Sequence, residues 1–413
     1  MIKISKDIQD VLLMIALQGL NYVAPLIVYP YLMIVLGAEK FGIISFSLSF
    51  AQYFMLLIDF GFNLSATKRI AQAKSQAEKN QIFTSTIIFK SILLSASILL
   101  MFILNFLQVF PVYQETMWIM FIMVFANTYF FIWLFQGLGK IKVITSINIF
   151  SKLLILPLVF VFVKQPDDYR LAAFILSASY LLGMIINIIV MRHQKIIFFT
   201  KVNKAQVKEE IKESFPVFLS SASTSVYTSF FVVLLGIVST PVVVGLYASA
   251  EKIMRSLCFL FITPIIQVFY PKLANMAIEK RHETKALYTK IFRYTMLLMA
   301  LLMVSLMLFS SKITEFLGPD YYAAANYLRI MAIALIFIPL GAITGQLGLL
   351  ALGDHQTKQS YKKVYLIAAP ISLTLVSILG ALYAGIGATV SLVATEIFVG
   401  IMMYYYFKRL IVW

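Results

Sequence analysis

The segment from Val11 to Leu36, VLLMIALQGLNYVAPLIVYPYLMIVL, decides the fold class of this chain. It carries no charged residue, and it is longer than the ~20 residues with which an α-helix crosses the hydrocarbon core of a bilayer. Lys3 and Lys6 precede it, as in a secretory signal peptide. However, the run is too long for a signal sequence and no small-residue cleavage site follows it. We therefore predict a retained membrane-spanning helix.

Comparable apolar stretches continue through the rest of the chain. Its 413 residues are 61% hydrophobic and 13% charged, whereas soluble domains are about 25% charged. We predict an all-α polytopic membrane protein with twelve transmembrane helices. The predicted spans are 11–36, 41–64, 83–108, 116–138, 143–163, 170–191, 215–238, 242–270, 291–311, 323–350, 364–384 and 388–407.

The basic residues lie mainly in every second connector between these stretches. The chain holds 34 Lys and Arg against 18 Asp and Glu, which gives a net charge of +16. If the N-terminus is cytoplasmic, the basic connectors are the cytoplasmic ones, which is the positive-inside pattern. We therefore predict that both termini are cytoplasmic. Because the charge is spread over short connectors and forms no continuous face, no nucleic-acid partner is predicted.

The longest cytoplasmic connector, residues 192–214, lies at the middle of the chain and is rich in Lys. Its composition predicts a surface helix on the cytoplasmic leaflet, between a six-helix bundle of residues 1–200 and another of residues 201–413. Short matches between the halves favour parallel repeats. They pair Phe41-Gly42-Ile43 with Val244-Gly245-Leu246, and Leu138-Gly139-Lys140 with Leu352-Gly353-Asp354.

Charged residues inside the predicted spans are the candidate site. Each costs about 2.5–3.5 kcal/mol at mid-membrane, so each must be paired, reach an interface, or face a water-filled cavity. A basic excess suits a phosphate or pyrophosphate group. The predicted substrate-binding residues of this cationic cavity are Lys252, Arg255, Lys152, Lys90 and Arg329, and the candidates for ion coupling are Glu396, Asp59 and Glu251.

Structural roles compete with these functional ones. Glu251 and Arg255 are spaced i, i+4 and can neutralise each other on one helix. Lys90 and Arg329 can extend to an interface. Asp59 can help to end its helix, and Glu396 can be a buried, protonated carboxyl group, because burial favours the neutral form.

Signals of catalysis are missing from the sequence. There is no G-x-x-x-x-G-K-[ST] sequence for a nucleotide phosphate. His193, His282 and His355 all fall in connectors, without the spacing of metal ligands. The single Cys258 lies inside a span and cannot form an internal disulfide. We predict no enzymatic activity, no cofactor and no metal.

Several segments resemble one family, the bacterial polysaccharide flippases of the Wzx type. The resemblance rests on Asn21-Tyr22, Pro25, Leu36-Gly37, Phe41-Gly42, Asp59-Phe60-Gly61, Ala66-Thr67-Lys68-Arg69, Trp133 to Lys140, and Tyr247 to Ile253. It implies membership of the MOP superfamily, with multidrug exporters of the MATE type and lipid II flippases. The implied fold is two six-helix bundles around a central cavity.

The resemblance also implies a function. The implied substrate is an undecaprenyl-pyrophosphate-linked oligosaccharide, the repeat unit of O-antigen or a related surface polysaccharide. It would cross from the cytoplasmic to the outer leaflet of the bacterial inner membrane by alternating access, with proton coupling as an open question. The expected partners are this substrate, membrane lipids, a polysaccharide polymerase and a chain-length regulator.

Two other functions stay open at this point. A cation-coupled multidrug exporter of the MATE type would need an acidic cavity, which the basic excess inside the spans disfavours. A membrane-embedded glycan-processing enzyme would need a substantial outward loop for the growing chain. The outward connectors of this sequence are all short.

Overall fold

The computed structural model describes residues 6–279 and 281–411. Side chains are described from Leu26 onward, except those of residues 220, 223, 224, 226–229, 278, 279 and 281. The side chains of Asn21, Tyr22 and Pro25, which contribute to the family resemblance, therefore lie outside the described set. All regular secondary structure in the described ranges is helical.

The α-helices of the described part follow in chain order. They are α1 (Lys6–Asp59), α2 (Phe62–Gln72), α3 (Gln76–Phe106), α4 (Gln114–Thr128), α5 (Ile132–Gly137), α6 (Ile141–Ile155), α7 (Leu158–Phe162), α8 (Tyr169–His193), α9 (Lys204–Val238), α10 (Pro241–Glu279), α11 (Arg281–Leu317), α12 (Ala324–Ala332), α13 (Ala334–Ala342) and α14 (His355–Leu410). Short 3₁₀ turns precede α8 and α12, and a π-helical segment, Ile343–Leu350, follows α13.

Nine helical segments within the described residues are long and apolar enough to cross a membrane. Large apolar side chains on them are exposed, such as Phe106 at 85% and Leu308 at 73%. A soluble protein rarely leaves such extended apolar surface uncovered, whereas lipid chains cover it in a membrane. The predicted class, an all-α polytopic membrane protein, is confirmed.

Sharp breaks divide the longest helices. One lies in a predicted connector, one at the end of the predicted span 364–384, and one inside the predicted span 41–64. Gly37 has φ 69° inside α1 and Ala384 has φ 48° inside α14, so neither residue is helical. Phe60 and Gly61, with φ of 46° and 80°, separate α1 from α2. Glycine adopts such positive φ values without the steric cost that other residues incur. Pro157 lies between α6 and α7, because proline lacks the amide hydrogen that a continuous helix needs.

The helices form two compact units. One unit comprises Met1–Gly42 with Val226–Trp413, and the other comprises Ile43–Ser225. The predicted bundles of residues 1–200 and 201–413 describe a division along the sequence and stay a prediction.

In the first unit, α1 and α10 cross at a pair of glycines. A Cβ atom on Gly42 would lie 1.9 Å from the carbonyl oxygen of Pro241, and one on Gly245 would lie 1.8 Å from that of Ala38. These contacts are reciprocal, and they join positions related by the same offset as Phe41-Gly42-Ile43 and Val244-Gly245-Leu246. The crossing explains why both segments carry glycine, since any side chain would separate the two backbones.

In the second unit, an extended segment and the start of α9 pack on the ends of other helices. The sequence predicts that these ends face the cytoplasm. The side chain of Gln76 donates to the Ile196 carbonyl at 3.0 Å, and the Phe198 amide donates to Asn80 Oδ1 at 3.2 Å. Residues 196–203 are thus extended along α3, and α9 begins only at Lys204 and continues into the next predicted span. The expected separate surface helix is not formed, because side chains of α3 bind the backbone of this segment instead.

Candidate functional site

The first group of charged side chains lies in the unit that contains α10 and α14. The Nε atom of Arg255 donates a hydrogen bond to Glu251 Oε1 at 2.9 Å. Its Nη2 atom lies 3.9 Å from Glu396 Oε1. Glu251 and Glu396 are only 8% and 5% exposed. We call these three residues the α10–α14 charge cluster.

The α10–α14 charge cluster neutralises its own cation. The i, i+4 pairing of Glu251 with Arg255 that the spacing predicts is present, and Glu396 approaches the same guanidinium from another helix. Buried ion pairs are stable only when their hydrogen bonds compensate for lost hydration. Arg255 therefore already has carboxylate partners, and a substrate anion would have to compete with them.

Lys252 is adjacent to this cluster in sequence but has a different partner. Its Nζ atom lies 4.4 Å from the centroid of the Tyr29 ring on α1, and the side chain is half-buried. A cation over an aromatic face gains about 0.5–2 kcal/mol, less than a buried ion pair can supply. No carboxylate of the described residues bonds to the ammonium of Lys252.

A buried hydroxyl group lies close to the same residues. Tyr247 is one helical turn before Glu251 and is fully buried. Its hydroxyl has no hydrogen-bond partner within the described part of the chain. Buried polar groups normally have partners, so this hydroxyl can bond to a water or a substrate group.

The second unit contains a separate pair, Asp59 and Lys90. Asp59 is the last residue of α1, as expected if it helps to end the helix, and the amides of Gly61 and Asn63 face its carboxylate. Lys90 on α3 is 1% exposed and interacts electrostatically with Asp59. In the part of the chain that the structure describes, the two form no direct ion pair, and Asp59 Oδ1 has no hydrogen-bond partner.

The remaining predicted cations lie apart from these groups within their own units. Lys152 is half-buried on α6, and its ammonium forms no ion pair with any described residue. Arg329 is exposed and donates to the hydroxyls of Ser310 and Ser311 at 3.0 and 2.6 Å, and to Asn326. Neutral groups thus hold Arg329 at one position, and no carboxylate of the described residues pairs with it. Substrate binding by either residue stays a prediction.

A further buried charge, which sequence reasoning did not single out, lies outside the predicted spans. Arg69 on α2 lies 3.1 Å from Glu209 and 3.1 Å from Glu210, both in the first turns of α9. Burial raises the pKa of Glu210 to about 7, although Arg69 acts in the opposite direction. The hydroxyls of Ser65 and Ser214 lie 2.5 Å apart along the same contact. We call this contact the α2–α9 seam.

The family of the chain follows from a comparison of its sequence. A family model described as "Polysaccharide biosynthesis protein" matches residues 8–277. The chain belongs to this family. A relative from Escherichia coli strain K12, described as "Putative O-antigen transporter", is 31% identical over 399 residues, which cover 96% of this chain and 95% of the relative. The predicted family membership is confirmed.

Solved structures of other membrane transporters share this fold. The lipid II flippase MurJ in an inward closed conformation matches 95% of this chain and 87% of its own, with a TM-score of 0.77 and 14% identity. An inward-facing MATE family transporter matches 95% of this chain and 94% of its own, with a TM-score of 0.71 and 12% identity. At such low identity, these likenesses establish the fold alone.

Proposed function

We propose that this protein moves lipid-linked oligosaccharide repeat units, of O-antigen or a related surface polysaccharide, from the cytoplasmic to the outer leaflet of the bacterial inner membrane. The observation that carries the proposal is the near full-length likeness to the O-antigen transporter relative. The family and the membrane-protein fold agree with it. Transport by alternating access then needs no chemistry on the substrate, and the protein acts as a transporter and not as an enzyme.

The proposed topology has twelve spans, with both termini in the cytoplasm. Division of α1 at Gly37 and of α14 at Ala384, together with the addition of α9, extends the nine candidate spans to twelve. An even number puts both termini on one side, and the basic connectors make that side the cytoplasm. A polymerase and a chain-length regulator are proposed as partners that act on the product at the outer side.

Lys252 is the proposed main contact for the negatively charged pyrophosphate. It lies inside a predicted span, and no carboxylate among the described residues bonds to its ammonium. Arg255 would have a secondary role, because Glu251 and Glu396 already hold its guanidinium. Lys90, Lys152 and Arg329 are proposed as further cations along the substrate path.

Asp59 is the proposed first candidate for coupling to a proton gradient. One of its oxygens has no hydrogen-bond partner among the described residues, and Lys90 beside it would respond to a change in its charge. Glu396 and Glu251 are the alternatives, but both contact the guanidinium of Arg255, so a change of charge at either would disturb that contact.

The drug-exporter alternative has the support of fold likeness alone, at 12% identity. A pump for cationic drugs would be disfavoured by the candidate site residues, of which five are basic and three are acidic. A lipid pyrophosphate would be favoured by the same excess.

A charge reversal at Lys252 tests this assignment in cells that lack their own transporter of this kind. We expect Lys252→Glu to abolish surface polysaccharide, because a carboxylate repels pyrophosphate, while the protein still accumulates in the membrane. Lys358→Glu, at an exposed connector position, is the matched control and should retain export. Normal surface polysaccharide in cells with Lys252→Glu would contradict the proposed role of Lys252.

A further inference from the structure

The start of α11 exposes a basic face. Lys285, Lys290 and Arg293 are exposed and lie at helical spacings that put them on one side of the helix. They line a shallow concavity of about 450 Å³, together with His282, Ala286, Thr289 and Tyr294. All of these residues belong to α11, so the concavity is a helix face and not an enclosed pocket.

The positive charge of this face is not compensated by ion pairs. Within the described residues, none of Lys285, Lys290 and Arg293 pairs with a carboxylate. Glu283 is the exposed acidic residue of these turns, and the three cations outnumber it. The face therefore attracts an anion.

The same helix continues from this basic face into a lipid-facing surface. Tyr294 is 61% exposed, and beyond it Leu297, Leu301 and Leu308 are all exposed at spacings that keep them on that side. Tyrosine is typical of the level at which headgroups meet hydrocarbon. The order of cations, tyrosine and leucines along one helix matches a molecule with an anionic head and an apolar tail.

We propose that this face of α11 binds an anionic phospholipid. Its phosphate contacts Lys285, Lys290 and Arg293, and an acyl chain lies along Leu297, Leu301 and Leu308. The concavity has room for a single small headgroup, and no second element encloses it among the described residues. A lipid-linked oligosaccharide would need further polar surface for its sugars, which α11 does not offer here. The occupant is therefore a membrane phospholipid and not the transported substrate.

A tryptophan reporter on this face can measure the lipid preference. Tyr294→Trp is reconstituted in phosphatidylcholine bilayers that contain either brominated phosphatidylglycerol or brominated phosphatidylcholine, and quenching of its fluorescence is compared. Quenching of the unsubstituted protein is subtracted for its three native Trp residues. Tyr383→Trp is the matched control, because Tyr383 is 63% exposed and has no basic residue near it in sequence.

We expect several-fold stronger quenching by brominated phosphatidylglycerol at position 294 and equal quenching by both lipids at position 383. Lys285→Gln, Lys290→Gln and Arg293→Gln together should remove the preference, with up to about fivefold lost per cation. Retained quenching by brominated phosphatidylcholine in that variant shows that the helix still contacts lipid. Equal quenching by the two lipids at position 294 would overturn the proposal. Relief of the quenching by a polyprenyl pyrophosphate at equal concentration to phosphatidylglycerol would overturn the assigned occupant.

Discussion

The α10–α14 charge cluster and the Asp59–Lys90 pair both contain buried charged side chains, but these charges are compensated in different ways. In the cluster, one guanidinium is held by carboxylates from two helices, with a 2.9 Å hydrogen bond to Glu251. In the pair, a lysine that is 1% exposed lies near a carboxylate without a direct ion pair, and no described residue forms a hydrogen bond with Asp59 Oδ1. A bonded cluster resists change, whereas an incompletely bonded pair can exchange a proton or bind another group.

This comparison separates charges that stabilise the helices from charges that are free to act. Arg255 is a stabilising charge and Lys252 is one that is free to act, although only three positions separate them on α10. Four experiments test that separation and a fifth tests the α2–α9 seam, in order from the largest expected effect to the smallest.

Removal of Arg255 should have the largest effect on stability. Arg255→Ala leaves Glu251 and Glu396 buried beside each other without a cation, which costs about 3–5 kcal/mol. Thermal unfolding of the purified protein measures the loss, with Arg409→Ala as a control at an exposed arginine. Addition of Glu251→Gln and Glu396→Gln should recover much of the stability. A loss no greater than that of the control would show that the cluster is not structural.

A charge swap, in which Glu251→Arg is combined with Arg255→Glu, should fail to restore the accumulation and stability of the protein. The carboxylate placed at position 255 would face Glu396, which the original arginine attracts. Addition of Glu396→Gln to the swap should then restore accumulation and stability. Full rescue by the swap alone would mean that Glu396 makes no energetic contribution to the cluster.

The Asp59–Lys90 pair should show a smaller coupling energy. Asp59→Asn, Lys90→Met and the double variant form a cycle in which contacting charges couple by about 0.5–3 kcal/mol. Because no direct ion pair joins these residues, we expect a value in the lower half of that range. Unfolding free energies of the three variants and the original protein give the coupling. A coupling as large as that of the Arg255 cluster would remove the distinction between the two groups.

Substitution of Tyr29 tests the cation–π contact with Lys252. Tyr29→Leu removes the ring, and we expect a loss of about 0.5–2 kcal/mol of stability. Tyr29→Phe is the matched control, since it keeps the ring and should retain most of the stability. Equal losses in the two variants would assign the effect to the hydroxyl group and not to the aromatic face.

The α2–α9 seam should respond to pH by a smaller amount. Burial raises the pKa of Glu210 from 4.5 to about 7. Glu210 therefore keeps its proton up to a higher pH when the seam is docked than when it is undocked. Docking is therefore favoured below pH 4.5 and weakens as the pH rises through about 7, by less than tenfold per pH unit. The charged groups that face Glu210 are Arg69, Glu209 and Glu213.

Hydrogen exchange of the first turns of α9, corrected for its intrinsic pH dependence, measures this effect. We expect more opening at pH 8 than at pH 6 in the original protein, and a flat profile with Glu210→Gln. Glu283→Gln, at an exposed carboxyl group on another helix, is the control and should leave the profile unchanged. The same pH dependence with and without Glu210→Gln would contradict the assignment.

The sequence predicted what depends on local pattern. The apolar stretches predicted the membrane-protein class, and the i, i+4 spacing predicted the contact of Glu251 with Arg255, because neighbours on a helix are fixed by its geometry. One role considered for Asp59, to help to end its helix, agrees with the end of α1 there, which the positive φ values of Phe60 and Gly61 explain. The predicted span itself continued to Leu64.

Contacts between helices that are far apart along the chain could not be predicted from the sequence. Glu396 approaches Arg255, and Tyr29 approaches Lys252, across separations that no helical period relates. The docking of residues 196–203 on α3 was missed for the same reason. Its hydrogen bonds come from polar side chains such as Asn80, whose partner cannot be read from the composition of the connector.

Reconstitution in liposomes tests the central claim most directly. The purified protein is incorporated with a lipid-linked oligosaccharide, and the fraction that becomes accessible to an external glycan-cleaving enzyme is measured. The proposed function predicts protein-dependent movement of the glycan, which Lys252→Glu abolishes and Lys358→Glu retains. Absence of movement for several lipid-linked glycans, with a correctly folded protein, would contradict the assignment as a flippase.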